Sequence, residues 1–341
     1  MELMFQVAAV IMTPLNQKNR FQPIMSFKTH HLMVWGHRGH RHHRYDGQHG
    51  LNQSPHENSL KAYQHVLKYT TGLECDVVQS GQKTPFLVHD TLFNGITQYQ
   101  LKSQLDEPSQ HLLNNRYIYQ LMDDELEQLR LKDGQALPRL AHLLKLMPEY
   151  PQRYLNLELK GPSVADTAVR TVEHAIRQGH LHPQQIIFSS YNLPILQNLR
   201  LNVGMRFKIS VMLTPADLQM AQMYPNWPNA EQNAYYMPFT QQSLQRSDIR
   251  EINPDFLHVE AHSLTEGSLK AMHELYPDSG IILWCAGEKH PKENPFLIEK
   301  TLAFAHSHKL VAVISDFPVA VQTMLTEQGL TLHKPEDSYV L

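Results

Sequence analysis

The chain has 341 residues, of which 30 are basic and 33 acidic, giving a formal net charge of −3, and 42% are apolar. This is the profile of a globular protein that buries a large core without disulfide or metal staples. The slight acidity excludes a general nucleic-acid binder, which needs a basic surface to displace counterions, and supplies no polybasic handle for an anionic membrane.

Two cysteines, Cys75 and Cys285, rule out a disulfide-dense scaffold and a four-cysteine zinc site. Each stands in an apolar strand-like run, so both are expected as buried free thiols. No stretch reaches the roughly 18 consecutive apolar residues that a bilayer span needs. Leu3 to Met12 is mostly apolar, but Glu2 stands where a secretory signal carries positive charge. Residues 1–31 are therefore expected as a poorly ordered leader and the cytoplasm as the location.

Short apolar runs alternate with helical patterns, the signature of βα units around a parallel sheet. The sequence predicts a strand at 32–37, a helix at 59–69, strands at 72–78 and 84–89, and helices at 121–130 and 137–147. A strand at 153–159 follows, then a helix at 163–178 opened by Pro162-Ser163, a strand at 185–190 and a helix at 193–200. Strands at 206–213 and 255–260, a helix at 265–275, a strand at 280–285, a helix at 295–307 and a strand at 310–315 complete the series. The expected fold class is α/β, a single-domain (β/α)8 TIM-type barrel with loop insertions over its C-terminal face. Nine strands are one too many, so one is an extra or misread element. Residues 91–120 and 215–254 break the alternation as long excursions, which on this scaffold stand over the active-site face.

Ionisable residues gather at the strand ends. Leu32 to Trp35 runs into Gly36-His37-Arg38-Gly39, and Phe86-Leu87-Val88 ends in His89-Asp90. Glu74 and Asp76 share one face of their strand because side chains alternate, and Cys75 faces the other way. Two carboxylates on an inward face repel unless a cation or proton lies between them, and hard oxygen ligands suit Mg²⁺ or Ca²⁺. Glu158 and Lys160 repeat the spacing on another strand. An inner salt bridge would explain either pair alone; with His37 and His89 beside them, a metal site is favoured. Glu260, ending strand 255–260, is a further candidate for the same face. Arg38, Lys160 and a dication would neutralise a phosphodiester, and two imidazoles suit the proton transfers of its hydrolysis.

In this order, His37-Arg38-Gly39, Glu57-Asn58-Ser59, Glu74-Cys75-Asp76, His89-Asp90, Glu158-Leu159-Lys160, Ser189-Ser190-Tyr191, Trp284 and Ser315-Asp316-Phe317-Pro318 resemble the glycerophosphodiester phosphodiesterase family. The resemblance covers about residues 32–325, leaving 326–341 as a C-terminal tail. It implies a barrel that hydrolyses glycerophosphodiesters to glycerol 3-phosphate and an alcohol, with His37 and His89 as the acid/base pair. It also implies that Glu74, Asp76 and Glu158 hold one divalent cation, Mg²⁺ or Ca²⁺, and that Arg38 and Lys160 grip phosphate. Glu57 would orient the His37-Arg38 corner or contribute near the metal. Trp284 would line the glycerol or leaving-group side, with plain core packing as the alternative. The implied partner is a small-molecule phosphodiester, without nucleic acid or an integral membrane segment.

The chain departs from the family pattern in three places. A histidine-rich stretch from His40 to Gln53 separates His-Arg-Gly from Glu57, where the family passes quickly to Pro-Glu-Asn-Thr. A solvated insertion is the preferred reading of it, and contact with an anionic leaving group the alternative. Trp284-Cys285-Ala286-Gly287-Glu288 replaces the family's frequent Trp-Thr-Val-Asn, and Ser80 to Pro85 replaces a glycine-rich spacer. Three other functions stay open: a lysophospholipase D acting on lysophospholipids, a lyase using Lys160 as a Schiff-base amine, and a barrel that binds phosphodiesters without catalysis.

Overall fold

The computed structural model describes residues 32–40, 56–89, 105–113, 116, 118–161, 163–213, 240–285, 287–307 and 309–334. The expected leader at 1–31, most of the histidine-rich stretch, Asp90 and Ala286 lie outside them. The strands are β1 (Met33–Gly36), β2 (Gly72–Gln79), β3 (Pro85–Leu87), β4 (Tyr154–Leu159), β5 (Ile186–Ser190), β6 (Lys208–Leu213), β7 (Phe256–Glu260), β8 (Gly280–Trp284) and β9 (Leu310–Ser315). Eight of them close into a parallel ring in the order β1-β2-β4-β5-β6-β7-β8-β9, with β9 pairing back onto β1. This is the expected (β/α)8 barrel, with helices between the strands.

The surplus strand is β3. It runs antiparallel to the end of β2, pairing Val77 with Leu87 and Gln79 with Pro85. β1 reaches only Gly72 and Leu73 of β2, so the upper part of β2 is left for a hairpin partner. On that hairpin a separate apolar cluster forms from Val78, Phe86, Val88, Leu105, Leu113, Ile118, Leu121, Leu126, Leu129, Leu131 and Leu137. Excursion 91–120 therefore contributes packed structure, including a helix at Glu107–Leu113. In excursion 215–254 the described part holds short helices at Gln241–Leu244 and Ser247–Ile252.

Alternation along the strands sorts the side chains into two cores. Leu73, Cys75 and Val77 of β2, and Leu155, Leu157 and Leu159 of β4, join the apolar layer between strands and helices. Inside the ring, Met33, Trp35, Ile187, Phe256, Ile282, Ala312 and Ile314 form a smaller apolar plug. Gly280 is needed there: a Cβ at this position would stand 2.7 Å from Val311 and 2.9 Å from the Phe256 ring. A helix at Pro318–Glu327, absent from the predicted series, opens on Pro318 and packs Val321 and Leu325 against the outside of the ring. Beyond it His333 donates its backbone N–H to Leu32 at 2.9 Å, stitching the end of the described chain to the first strand. No helix among the described residues is long and apolar enough to cross a membrane.

Beside the apolar plug lies a buried polar cluster, with Asn156, Ser210 and His258 in register with Ile187, Phe256 and Ile282. Asn156 Nδ2 donates to His258 Nε2 at 3.1 Å, and His258 Nδ1 contacts Ser210 Oγ, which donates onward to the Phe256 carbonyl at 3.1 Å. Burial lowers the His258 pKa to about 3, so the ring is neutral in the fold. Unfolding frees it to titrate near 6.5, and the unfolded chain then binds a proton that the folded chain does not. Its contribution is complete above pH 6.5 and declines as pH falls towards 3, by about 1.4 kcal/mol per pH unit. Denaturant unfolding of wild type and His258→Gln between pH 7.5 and 4.5 should show a shallower acid loss in the variant; parallel curves would disprove the assignment.

Candidate active site

The C-terminal ends of the barrel strands carry the charged residues. β1 ends at Gly36, and the chain turns back so tightly that a Cβ there would strike the Gly39 carbonyl and Val66. Past the turn, His37 donates its backbone N–H to Ser315 of β9 at 2.9 Å. Arg38 and Gly39 both adopt left-handed backbone, with φ of 52° and 79°. For Arg38 this is strained by about 1–3 kcal/mol, and two bonds hold it. Its N–H reaches Glu74 Oε2 at 2.9 Å, and its carbonyl accepts the Asn58 N–H at 2.9 Å.

Glu74 and Asp76 of β2 and Glu158 of β4 point into the barrel mouth. The parallel register sets Asp76 directly beside Glu158, and one oxygen from each of the three carboxylates lies within 4.8 Å of the others. All three side chains are buried. Lys160, one turn of the pleat beyond Glu158, reaches Glu158 Oε1 at 2.6 Å and Asp76 Oδ1 at 3.2 Å. Arg38 reaches Glu57 Oε1 at 3.1 Å and Asp76 Oδ2 at 3.3 Å. Asn58 adds an Nδ2 bond to Asp76 at 2.8 Å and is itself held by the Tyr63 hydroxyl at 2.8 Å. Ser59 caps the following helix by accepting from Ala62 N–H, which fixes where Glu57 and Asn58 enter the site.

These contacts split the three acids. Burial pushes Glu74 well up, and the charges of Asp76 and Glu158 push it further. Burial also raises Glu158, against the pull of Lys160. Asp76 feels the same burial, but Lys160, His89 and Arg38 outweigh it and hold the carboxyl well below its usual range. Arg38, despite burial, is kept charged by Glu57, Asp76 and Glu74. The trio is thus short of positive charge at Glu74.

His37 Nδ1 lies 2.6 Å from Asp316 Oδ1 and Nε2 lies 3.7 Å from Glu74 Oε2. The carboxylate fixes the ring so that Nε2 faces the acids. Asp316 is placed in turn by Glu288, which accepts from the Asp316 N–H at 2.7 Å and from Ser315 Oγ at 2.6 Å. His89 sits half-buried at the end of the β3 hairpin, near enough to Asp76 to lower its pKa. The structure therefore brings together His37, Arg38, Glu57, Glu74, Asp76, His89, Glu158 and Lys160. Sequence reasoning gave no role to Asn58, Asp316 or Glu288. The first two lie inside motifs already singled out, and Glu288 closes the stretch from Trp284 that departs from the family pattern.

Trp284 is not part of this group. It ends β8, four strands away from β4 around the ring, and packs against the inner apolar plug. Its indole N–H is buried without a hydrogen-bond partner. Glu260 ends β7, opposite β2, so its expected place on the inner face holds but on the far wall from the acids. Cys75 is buried as expected, whereas Cys285 lies just past β8 and is half-buried.

The three acids suit a dication. Glu74 Oε1 is buried and has no hydrogen-bond partner, which is costly for a charged group unless a cation meets it. One oxygen from each acid lies within 4.8 Å of the others, close enough for Glu74, Asp76 and Glu158 to share one ion of the oxygen-seeking Mg²⁺ or Ca²⁺ type.

Comparison with curated proteins finds no match. Among solved structures, a protein from Silicibacter pomeroyi assigned as a glycerophosphoryl diester phosphodiesterase is 19% identical, with a TM-score of 0.60 over 89% of this chain and 96% of that one. A phosphodiesterase from Oleispira antarctica, solved with the product sn-glycerol-3-phosphate, is 19% identical, with a TM-score of 0.56 over 86% of this chain and 96% of that one. A glycerophosphodiester phosphodiesterase from Parabacteroides distasonis is 16% identical, with a TM-score of 0.55 over 87% and 98%. At such identities these likenesses show the fold. The family model of the glycerophosphoryl diester phosphodiesterases matches residues 37–333, and the chain belongs to that family of phosphodiester-hydrolysing enzymes.

Proposed function

We propose that the chain hydrolyses glycerophosphodiesters to glycerol 3-phosphate and an alcohol, using one divalent cation, Mg²⁺ or Ca²⁺, with His37 and His89 as its acid and base. The observation that carries this reading is the buried trio of Glu74, Asp76 and Glu158 beside a histidine fixed by Asp316. The glycerol 3-phosphate held by the Oleispira antarctica structure fits the same product. The trio would hold the cation, whose chemistry when bound is to neutralise phosphate oxygens and stabilise charge in the transition state.

The remaining steps belong to the protein. Lys160 and Arg38, both permanently set among carboxylates, turn the mouth into a place where a phosphate anion is compensated. Glu57 holds the Arg38 fork in place. Asp316 accepts the Nδ1 proton of His37 and leaves Nε2 able to take a proton from the attacking oxygen or return one to the leaving alkoxide. His89, on the hairpin across Asp76, performs the complementary transfer. An ammonium buried between two carboxylates is a poor nucleophile, which counts against a Schiff-base role for Lys160.

Chelation with EDTA should abolish turnover of glycerophosphocholine, -ethanolamine or -inositol, and Mg²⁺ or Ca²⁺ should restore it; undiminished activity in chelator would end the metal-dependent reading. The same assay with lysophospholipids separates a lysophospholipase D from an enzyme of soluble diesters. His37→Ala and His89→Ala should each lower kcat by about 10²–10⁴-fold, the usual contribution of a general acid or base. Asp316→Asn should cost about 10–100-fold, as outer partners of working groups do, and should shift the pH profile of kcat/KM; a variant with unaltered kinetics would remove Asp316 from the proposed role.

A further inference from the structure

Across the mouth from the acidic trio, the ends of β7 and β8 bring a second set of donor atoms together. A carboxylate oxygen of Glu260, a ring nitrogen of His262 and the Sγ of Cys285 all lie within 4.8 Å of one another. In the ring order, β7 is four strands from β2 and β8 four strands from β4, so this set stands on the opposite wall and is not an extension of the trio. We propose that Glu260, His262 and Cys285 form a second metal site, selective for a borderline transition ion of the Zn²⁺ or Co²⁺ type.

The donor chemistry sets the selectivity. A thiol and an imidazole are poor partners for Mg²⁺ or Ca²⁺, which take oxygen, whereas Zn²⁺ binds sulfur at about 2.3 Å, nitrogen at about 2.0–2.1 Å and carboxylate oxygen at about 2.0–2.2 Å. Three protein ligands leave a fourth tetrahedral position open, as at zinc sites that admit water or a ligand. Bond lengths of this size place ligands of one ion about 3.3–3.7 Å apart, so donors that now lie within 4.8 Å of one another need adjust by no more than about 1.5 Å.

The site is also held in place. His262 gives its backbone N–H to Glu260 Oε2 at 2.8 Å, and its ring Nδ1 lies 2.7 Å from Glu260 Oε1. The imidazole is stacked on Phe296 with centroids 4.1 Å apart and planes 17° from parallel. Glu260 is wholly buried, while the His262 side chain is 30% exposed and Cys285 half-buried, leaving an approach from the mouth. A bound ion would tie the short 3-10 turn after β7 (Ala261–Ser263) to the segment after β8, fixing two walls of the entrance beside Trp284.

The chain has 22 histidines but two cysteines only, so a thiolate signature identifies the site. Titration of the full chain with Co²⁺ in millimolar Mg²⁺ should produce a thiolate-to-cobalt charge-transfer band that saturates at one equivalent. One equivalent of Zn²⁺ should erase it, and extra Ca²⁺ should not. Cys285→Ser and His262→Gln, each checked for folding by circular dichroism, should lose the band, while Cys75→Ser should keep it. Absence of the band in wild type, or its persistence in folded Cys285→Ser, would overturn the proposal. Glu74→Gln should leave the band intact, which separates this site from the one the trio would hold.

Discussion

Like charges forced into a low-dielectric barrel mouth are the constraint from which the rest of this site follows. Glu74, Asp76 and Glu158 arrive there because strand alternation sends every second residue inward and because β2 and β4 are in parallel register. Left alone, three such carboxylates would destabilise the fold by several kcal/mol each. Arg38, Lys160 and Asn58 compensate two of them through bonds of ordinary length and leave Glu74 the least well served. The strained Arg38 backbone belongs to the same balance, since its amide is one of the few donors Glu74 receives.

The two sides of the mouth solve their electrostatic problems differently. Near the trio, side chains compensate side chains across neighbouring strands. On the opposite side, Glu260 is served by the backbone and ring of His262 two residues later. One wall thus sets Arg38 and Lys160 among its acids, while the other serves Glu260 from its own turn.

Much of this was legible in the sequence because it depends on period and adjacency. Inward pairing of Glu74 with Asp76, the strand-end placing of His37 and Glu158, and the barrel itself all follow from alternation of apolar runs. The antiparallel β3 reads as one more strand, since residues 84–89 look the same whether they join a ring or fold back on β2; the difference lies in where β1 stops pairing. Asp316 and Glu288 were harder for another reason: their work depends on contacts nearly the whole chain length apart, or on a backbone amide, and neither leaves a periodic trace. The apolar neighbours of Cys285 predict a core thiol, but it falls one residue past the last pleat of β8, where the lining of the mouth begins.

The bond between His37 and Asp316 spans 279 positions of the sequence. The ring closes by joining its first strand to its last, so the imidazole is aimed only when the final βα unit has docked. Closure of the cylinder and the aiming of this ring are thus one structural condition, whereas the acid trio carries no such dependence, since its members stand on the adjacent strands β2 and β4.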